Sequence, residues 1–254
     1  MAGFRDRLNS PGILPFAHRG DNGTLPENSM AAFQAAVDLG FDLLETDIRT
    51  SRDGVPYCYH DENLLRLTGE DRLFQDMTSG DLDHLKLANG QGIPRLDAVI
   101  EAFPAASFNL DAKSEAVCQP LGRLIARMKI ADRICVGSFS DKRIRRVVCA
   151  AGQDLCTSLG TSEVLRFYLG ARTGLRQQFA AGCVQLPTRY RGVPLVTRQT
   201  IDHAHRTGLK LHVWTINDRA GINHLLDLGV DGIMSDDCRM LKLALTERGI
   251  WPAG

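Results

Sequence analysis

The chain lacks any excess of charge, with 30 Lys and Arg against 30 Asp and Glu. There is thus no electrostatic case for nucleic acid or an anionic membrane surface as partner. A run of basic residues, Lys142, Arg143, Arg145 and Arg146, reads as one solvated helix face. The chain also lacks a CxxC pair. Its 7 cysteines (Cys58, Cys118, Cys135, Cys149, Cys156, Cys183, Cys238) are odd in number and scattered. That argues against a zinc site and a disulfide framework, and for reduced, mostly buried thiols in a cytoplasmic protein. Long apolar runs are missing too. Met1 to Pro15 carries charges, so neither a signal peptide nor a membrane span is expected. No Gly-rich dinucleotide loop follows the first candidate strand. No repeat, low-complexity tract or linker is visible.

What is present is ordinary for a globular protein: 254 residues, 44% hydrophobic and 24% charged. Short β-type runs alternate with helical patterns. Candidate strands end at Ala17-His18, Glu45-Thr46-Asp47, Asn109-Leu110-Asp111, Val136-Gly137-Ser138, Thr157-Ser158-Leu159, Val184-Gln185-Leu186, Val213-Trp214-Thr215 and Ile233-Met234-Ser235. Between them lie helical stretches such as Met30 to Leu39, Pro94 to Phe103 and Gln199 to Thr207, several closed by glycine at 40, 208 and 229. About eight such units point to a (β/α)8 TIM barrel forming one domain over residues 1–254, with an open doubly wound sheet as the alternative. Asp53-Gly54 signals a hairpin after the second strand, above the barrel rim. Folding about those two residues sets Asp47 opposite His60, and Pro56 on an exposed strand. The long connection from Thr68 to Ile93 reads as a rim excursion or lid.

The residues able to do chemistry gather in the first half. Glu45 and Asp47 are two apart, so a strand points both to one face, into a barrel mouth. Two convergent carboxylates suit a hard cation, Mg²⁺ or Ca²⁺, although a pair of surface acids is the alternative. Asp111 and Lys113 repeat the spacing, as a third ligand and a phosphate contact or as an ordinary ion pair. His18 and His60 each end a β-type run, and acid–base chemistry wants two groups of near-neutral pKa. Arg19 follows His18. Trp214 ends a late strand, as a core residue or a ligand-facing wall. The other five histidines have no acidic constellation beside them.

Taken together, His18-Arg19-Gly20, Pro26-Glu27-Asn28-Ser29, Glu45-Thr46-Asp47, His60-Asp61 with Leu64, Arg66 and Thr68, Asp111-Ala112-Lys113, and Trp214 to Asn217 resemble the glycerophosphodiester phosphodiesterase family, in order and at its spacing. The segment from Gly229 to Asp236 also fits. The resemblance implies a metal-dependent hydrolase of glycerophosphodiesters on a TIM barrel, with a small-molecule substrate. It implies Glu45, Asp47 and Asp111 at the metal, His18 and His60 as acid and base, Arg19 and Lys113 at the phosphate, and Trp214 at the substrate's apolar part. Two departures stand out. Many members have Glu where Asp111 stands, and Asp21-Asn22-Gly23 places an extra acid after His18-Arg19-Gly20, near the mouth. A phospholipase D-like relative acting on lysophospholipids or sphingolipids and a silent phosphodiester-binding barrel are the rival readings.

Overall fold

The computed structural model describes residues 3–152 and 155–252. Its strands are β1 (Leu14–His18), β2 (Leu43–Thr50), β3 (Pro56–Cys58), β4 (Ser107–Ala112), β5 (Ile134–Gly137), β6 (Cys156–Thr157), β7 (Cys183–Pro187), β8 (Arg189–Tyr190), β9 (Val193–Pro194), β10 (Lys210–Trp214) and β11 (Gly232–Ser235). Eight of them form a parallel sheet in the order β6-β5-β4-β2-β1-β11-β10-β7. Its ends meet: Ser158 bridges Cys183, Gly182 N–H donates to Thr157 O at 3.0 Å, and Leu159 N–H donates to Cys183 O at 3.0 Å. A helix follows each barrel strand, at Met30–Asp38, Leu96–Ala102, Cys118–Met128, Asp141–Ala151, Thr161–Thr173, Arg198–Arg206, Arg219–Leu228 and Cys238–Glu247. This is the (β/α)8 barrel that the alternating pattern predicts. No helix among the described residues is long and apolar enough to cross a membrane.

Period-2 alternation assigns each strand residue a side. Along β2, Leu44 and Ile48 pack outward against the helices, together with Phe108, Leu110, Val184, Leu211 and Ile233. Leu43 faces the axis and joins Phe16, Cys135, Cys156, Cys183 and Met234 in a floor cluster, sealed from below by Phe4 and Leu8 of the helix Phe4–Asn9. Cysteines scattered in sequence thus meet on three successive strands, with Cys135 and Cys183 sulfurs 3.9 Å apart. All seven are free and only Cys149 is exposed. Above the floor lies a polar layer. Gln185 Nε2 donates to Asn109 Oδ1 at 2.9 Å, and His212 stacks near Phe16, with ring centroids 4.9 Å apart.

The hairpin forms, but one residue out of the predicted register. Ile48 pairs Cys58, Arg49 pairs Tyr57, and Tyr59 N–H donates to Asp47 O at 2.8 Å. Asp47 therefore lies opposite Tyr59, and His60 follows. The reason is the loop. Ser51 and Val55 close it around three residues, with Gly54 in the left-handed region at φ +87°. Such a loop takes one residue more than the two-residue turn expected from Asp-Gly. Pro56 is buried, contrary to the exposed strand expected of it. As the first residue of β3 it avoids breaking the ladder, and it shares a face with Cys58, which packs into the main core. The rim segment is no bare loop. Among the described residues it carries helices at Leu65–Thr68 and Ser79–His84 and a 3-10 turn at Phe74–Asp76. Phe74, Met77, Leu82, Leu87 and Ile93 pack on Tyr57, Tyr59 and Leu64 as a separate apolar cluster. The basic run on Asp141–Ala151 is not wholly a solvated face either, since Arg143 donates to Lys113 O at 2.8 Å and so ties down the end of β4.

Candidate active site

The mouth is built from strand ends. Beyond Leu43, Glu45 and Asp47 are the next axis-facing residues of β2, 4% and 1% exposed. β4 lies beside them in register, Asp47 against Asp111. The turn after β1 is forced by packing. Gly20, at φ +83°, lies so close to the helix Met30–Asp38 that a Cβ there would sit 2.6 Å from the Ala32 carbonyl carbon. Only glycine fits such a place. The turn puts Arg19 in the left-handed region, at φ +58°.

Arg19 reaches three acids. Its backbone N–H donates to Glu45 Oε2 at 3.1 Å, Nη1 donates to Glu27 Oε1 at 3.0 Å, and Nε lies 2.9 Å from Asp47 Oδ2. The last contact is an ion pair without hydrogen-bond alignment. Asn28 explains the rest of its segment. Its amide donates to Asp47 Oδ2 at 3.2 Å and its Oδ1 accepts from Thr46 Oγ1 at 2.7 Å, while Ser29 caps the helix Met30–Asp38. Lys113 Nζ lies 2.7 Å from both Asp47 Oδ1 and Asp111 Oδ2. Burial alone would raise the Asp47 carboxyl, but Lys113 and Arg19 hold it below its ordinary pKa. Glu45 has weaker support. Burial pushes its carboxyl up to about 7, His18 opposes this, and Asp47 adds to it.

The two histidines share one arrangement. His18 Nδ1 is 2.7 Å from Asp236 Oδ1, and His60 Nδ1 is 2.7 Å from Asp61 Oδ1. An Nδ1–H held by a carboxylate fixes the ring and leaves Nε2 to exchange a proton. His18 Nε2 faces Glu45 Oε2 at 3.7 Å. Burial depresses the His18 pKa, but Glu45 and the Asp236 hydrogen bond outweigh it, so the net shift is upward. Asp236 is itself braced by Asn22 at 2.9 Å and Asn217 at 2.7 Å, and the His18 bond holds its carboxyl down at about 2 against burial. Arg66 donates to Asp61 at 2.5 Å and, with the His60 bond, holds that carboxyl at about 2, while its Nη2 reaches Glu27 at 2.7 Å. Trp214 stands half-buried at the end of β10, edge-on to Phe139 with centroids 5.9 Å apart.

Six of the eight predicted residues thus lie at the C-terminal ends of strands or just after them, and Glu45 and Asp47 lie within β2, whose last residues run on into the hairpin. The structure adds Asp236, Glu27, Asn22, Asn28 and Asn217, whose sequence signal was only that they fall within or beside the matched segments. Asp21, the extra acid after Gly20, is buried and already engaged. Its carboxylate accepts from Cys238 N–H at 3.1 Å and so caps the last helix. The acids do not form one tight trio around a point. Among the described residues, the three donors within 4.8 Å of one another are Glu27, His60 and Asp61. Both acids of that trio are already compensated by Arg66, and Glu27 also by Arg19. The predicted set fits a hard cation better. Asp111 Oδ1 is buried with no partner among the described residues, and Glu45 is a buried carboxyl short of positive charge.

Comparison with known proteins agrees with this geometry. The model of the glycerophosphoryl diester phosphodiesterase family matches residues 18–240. A Mycobacterium tuberculosis protein named "Probable glycerophosphodiester phosphodiesterase 2" is 36% identical over 250 residues, covering 96% of this chain and 95% of its own. Among solved structures, a glycerophosphodiester phosphodiesterase from Agrobacterium tumefaciens superposes with a TM-score of 0.75 at 24% identity, covering 92% of this chain and 99% of that one. An Oleispira antarctica phosphodiesterase in complex with the product sn-glycerol-3-phosphate gives a TM-score of 0.75 at 21% identity, covering 94% and 99%. The family match begins at His18 itself and takes in every segment that builds the mouth, so this chain belongs to the glycerophosphoryl diester phosphodiesterase family and is a phosphodiesterase.

Proposed function

We propose that the chain hydrolyses glycerophosphodiesters to sn-glycerol 3-phosphate and an alcohol, with His18 and His60 as its acid–base pair and residues 1–254 acting as one domain. The observation that carries the reading is the matched tethering of the two rings, each Nδ1 at 2.7 Å from an aspartate whose carboxyl is held down at about 2. One Nε2 takes the proton of the attacking oxygen. The phosphorus–oxygen bond to the leaving alcohol breaks, and the other Nε2 protonates that alkoxide. Arg19 and Lys113 supply positive charge for the phosphoryl oxygens, and Trp214 contacts the apolar part of the substrate. Both cations are paired with acids, so substrate phosphate replaces part of that pairing.

Glu45, Asp47 and Asp111 are the residues that would hold Mg²⁺ or Ca²⁺. Such an ion would supply charge for the phosphoryl oxygens and would offset the burial, and the Asp47 charge, that raise Glu45. Asp47 already faces Lys113 and Arg19, so its share in holding the ion requires one of those contacts to loosen.

Release of glycerol 3-phosphate from glycerophosphocholine is the direct test, measured in chelator and after adding back Mg²⁺ or Ca²⁺. Turnover lost in chelator and restored by either ion is expected. Full turnover in exhaustive chelator removes the metal from this account, and no turnover under any condition removes the substrate.

A further inference from the structure

A cleft of about 500 Å³ opens beside His60. Its inner wall is His60, Asp61 and Lys113 of the chemistry above, and its outer part is left unassigned. It runs from Lys113 past His60 to Arg49, Glu62, Leu65 and Arg66. Its size suits a small head group. Among the described residues no Trp, Tyr or Phe lines it, so it offers no aromatic cage for a quaternary ammonium.

The charges around the cleft are mostly committed. Lys113 is shared by Asp47 and Asp111, and Arg66 by Glu27 and Asp61. Arg49 is different. It follows Glu45 and Asp47 on the axis-facing side of β2, one step further out. Its Nε donates to His60 O at 2.9 Å, and its two terminal nitrogens have no hydrogen-bond or ion-pair partner among the described residues. The side chain is half-buried, so the fork is held in place and partly shielded from water. Glu62 is the acid that acts most on Arg49, ahead of Asp47 and Asp61, but it is exposed at the outer lip and makes no ion pair with it among the described residues, so an anion in the cleft competes with a solvent-screened attraction. A preorganised guanidinium fork suits a carboxylate or a phosphate.

Building on the phosphodiesterase reading, we infer that the leaving alcohol carries an anionic group of its own, which Arg49 binds in this cleft. Two substrate pairs isolate that group. Glycerophosphoserine differs from glycerophosphoethanolamine by one carboxylate. Glycerophosphoglycerol phosphorylated on the terminal hydroxyl of its leaving glycerol differs from glycerophosphoglycerol by a second phosphate. The readout is the kcat/KM ratio within each pair, for the full chain and for its Arg49→Met and Arg49→Lys variants. Any loss through the His60 carbonyl falls on both members of a pair and cancels in the ratio.

The native enzyme should favour the anionic member of at least one pair by roughly tenfold or more, the scale of one charge-assisted contact. Which pair shows the preference tells carboxylate from phosphate. Arg49→Met should bring that ratio to about one, and Arg49→Lys should keep part of it because the charge remains. Turnover of all four substrates with flat ratios overturns this inference alone, and so does a preference that Arg49→Met leaves intact. Turnover of none overturns the phosphodiesterase reading and this inference with it.

Discussion

The floor and the mouth of the barrel are made by the same strands, a few residues apart, and they bury opposite things. At the floor, Phe16, Leu43, Cys135, Cys183 and Met234 close an apolar plug. At the mouth, Glu45 and Asp47 are almost as buried, and the half-buried Arg19 and Lys113 pair with them. Burying apolar surface stabilises a fold, whereas burying paired charges roughly breaks even. The floor is therefore where the barrel gains stability, and the mouth is where it positions reactive groups. The comparison predicts that damage to the two ends shows up in different measurements.

Glu45→Gln should give the largest separation. Turnover is expected to fall by roughly 10³-fold or more, since charge stabilisation by a bound metal is worth several kcal/mol. The unfolding midpoint should hold or rise, because a neutral amide replaces a carboxyl that burial destabilises. A large drop in stability with turnover per folded molecule intact would reverse the assignment of the two ends.

Phe16→Ala is the converse. Phe16 is fully buried between Phe4 and His212, and removing such a ring costs about 3–5 kcal/mol. Denaturant unfolding should show that loss, while kcat per folded molecule stays within a small factor of the native value.

His212 tests the polar layer between the two ends by pH. Burial pushes its pKa down to about 4. The unfolded chain takes up its proton near 6.5 and the folded one near 4, so the His212 contribution to stability should fall as pH drops through that window, while Glu45, pushed up to about 7, contributes in the opposite sense. The His212 share is therefore read as the native protein minus His212→Gln, and that difference should shrink by about 3 kcal/mol. The carboxylates held near 2, such as Asp61 and Asp236, lose their contribution below that window, so the two effects separate. A difference between the native protein and His212→Gln that is independent of pH between 6.5 and 4 would show that His212 finds a way to ionise in place.

Asp236→Asn is the smallest change. It keeps the shape at His18 Nδ1 but removes the charge. A loss in kcat of roughly 10- to 100-fold is expected, a share of the 10²–10⁴ that an acid–base group contributes. The pH–rate profile should move as well, because the Asp236 bond helps raise the His18 pKa. A lower rate with an unmoved profile would make Asp236 a brace for the fold only.

The sequence made the barrel legible because strand-end residues and helix-closing glycines mark each unit, and all eight predicted strand ends fall on barrel strands. The site residues were legible as types, since acids two apart on a strand share a face wherever the strand sits. Partners were not. That Asp236 would meet His18 depends on barrel closure between β1 and β11, which no local pattern encodes. The hairpin register failed for a local reason, because Asp53-Gly54 serves a two-residue turn or a three-residue loop equally well, and one residue shifts Asp47 from His60 to Tyr59. The rim excursion reads as a loop because its helices are short and its apolar residues, among them Phe74 and Leu82, follow no long period.

The central claim is that His18 and His60 divide acid and base between them. It is tested by kcat/KM for His18→Ala and His60→Ala on two glycerophosphodiesters, one losing choline and one losing p-nitrophenol. Both variants should lose roughly 10²–10⁴-fold with the poor leaving group. With p-nitrophenol, which needs no proton to depart, one variant should recover most of that loss and the other should not. Equal losses for both variants on both substrates would contradict the division of roles.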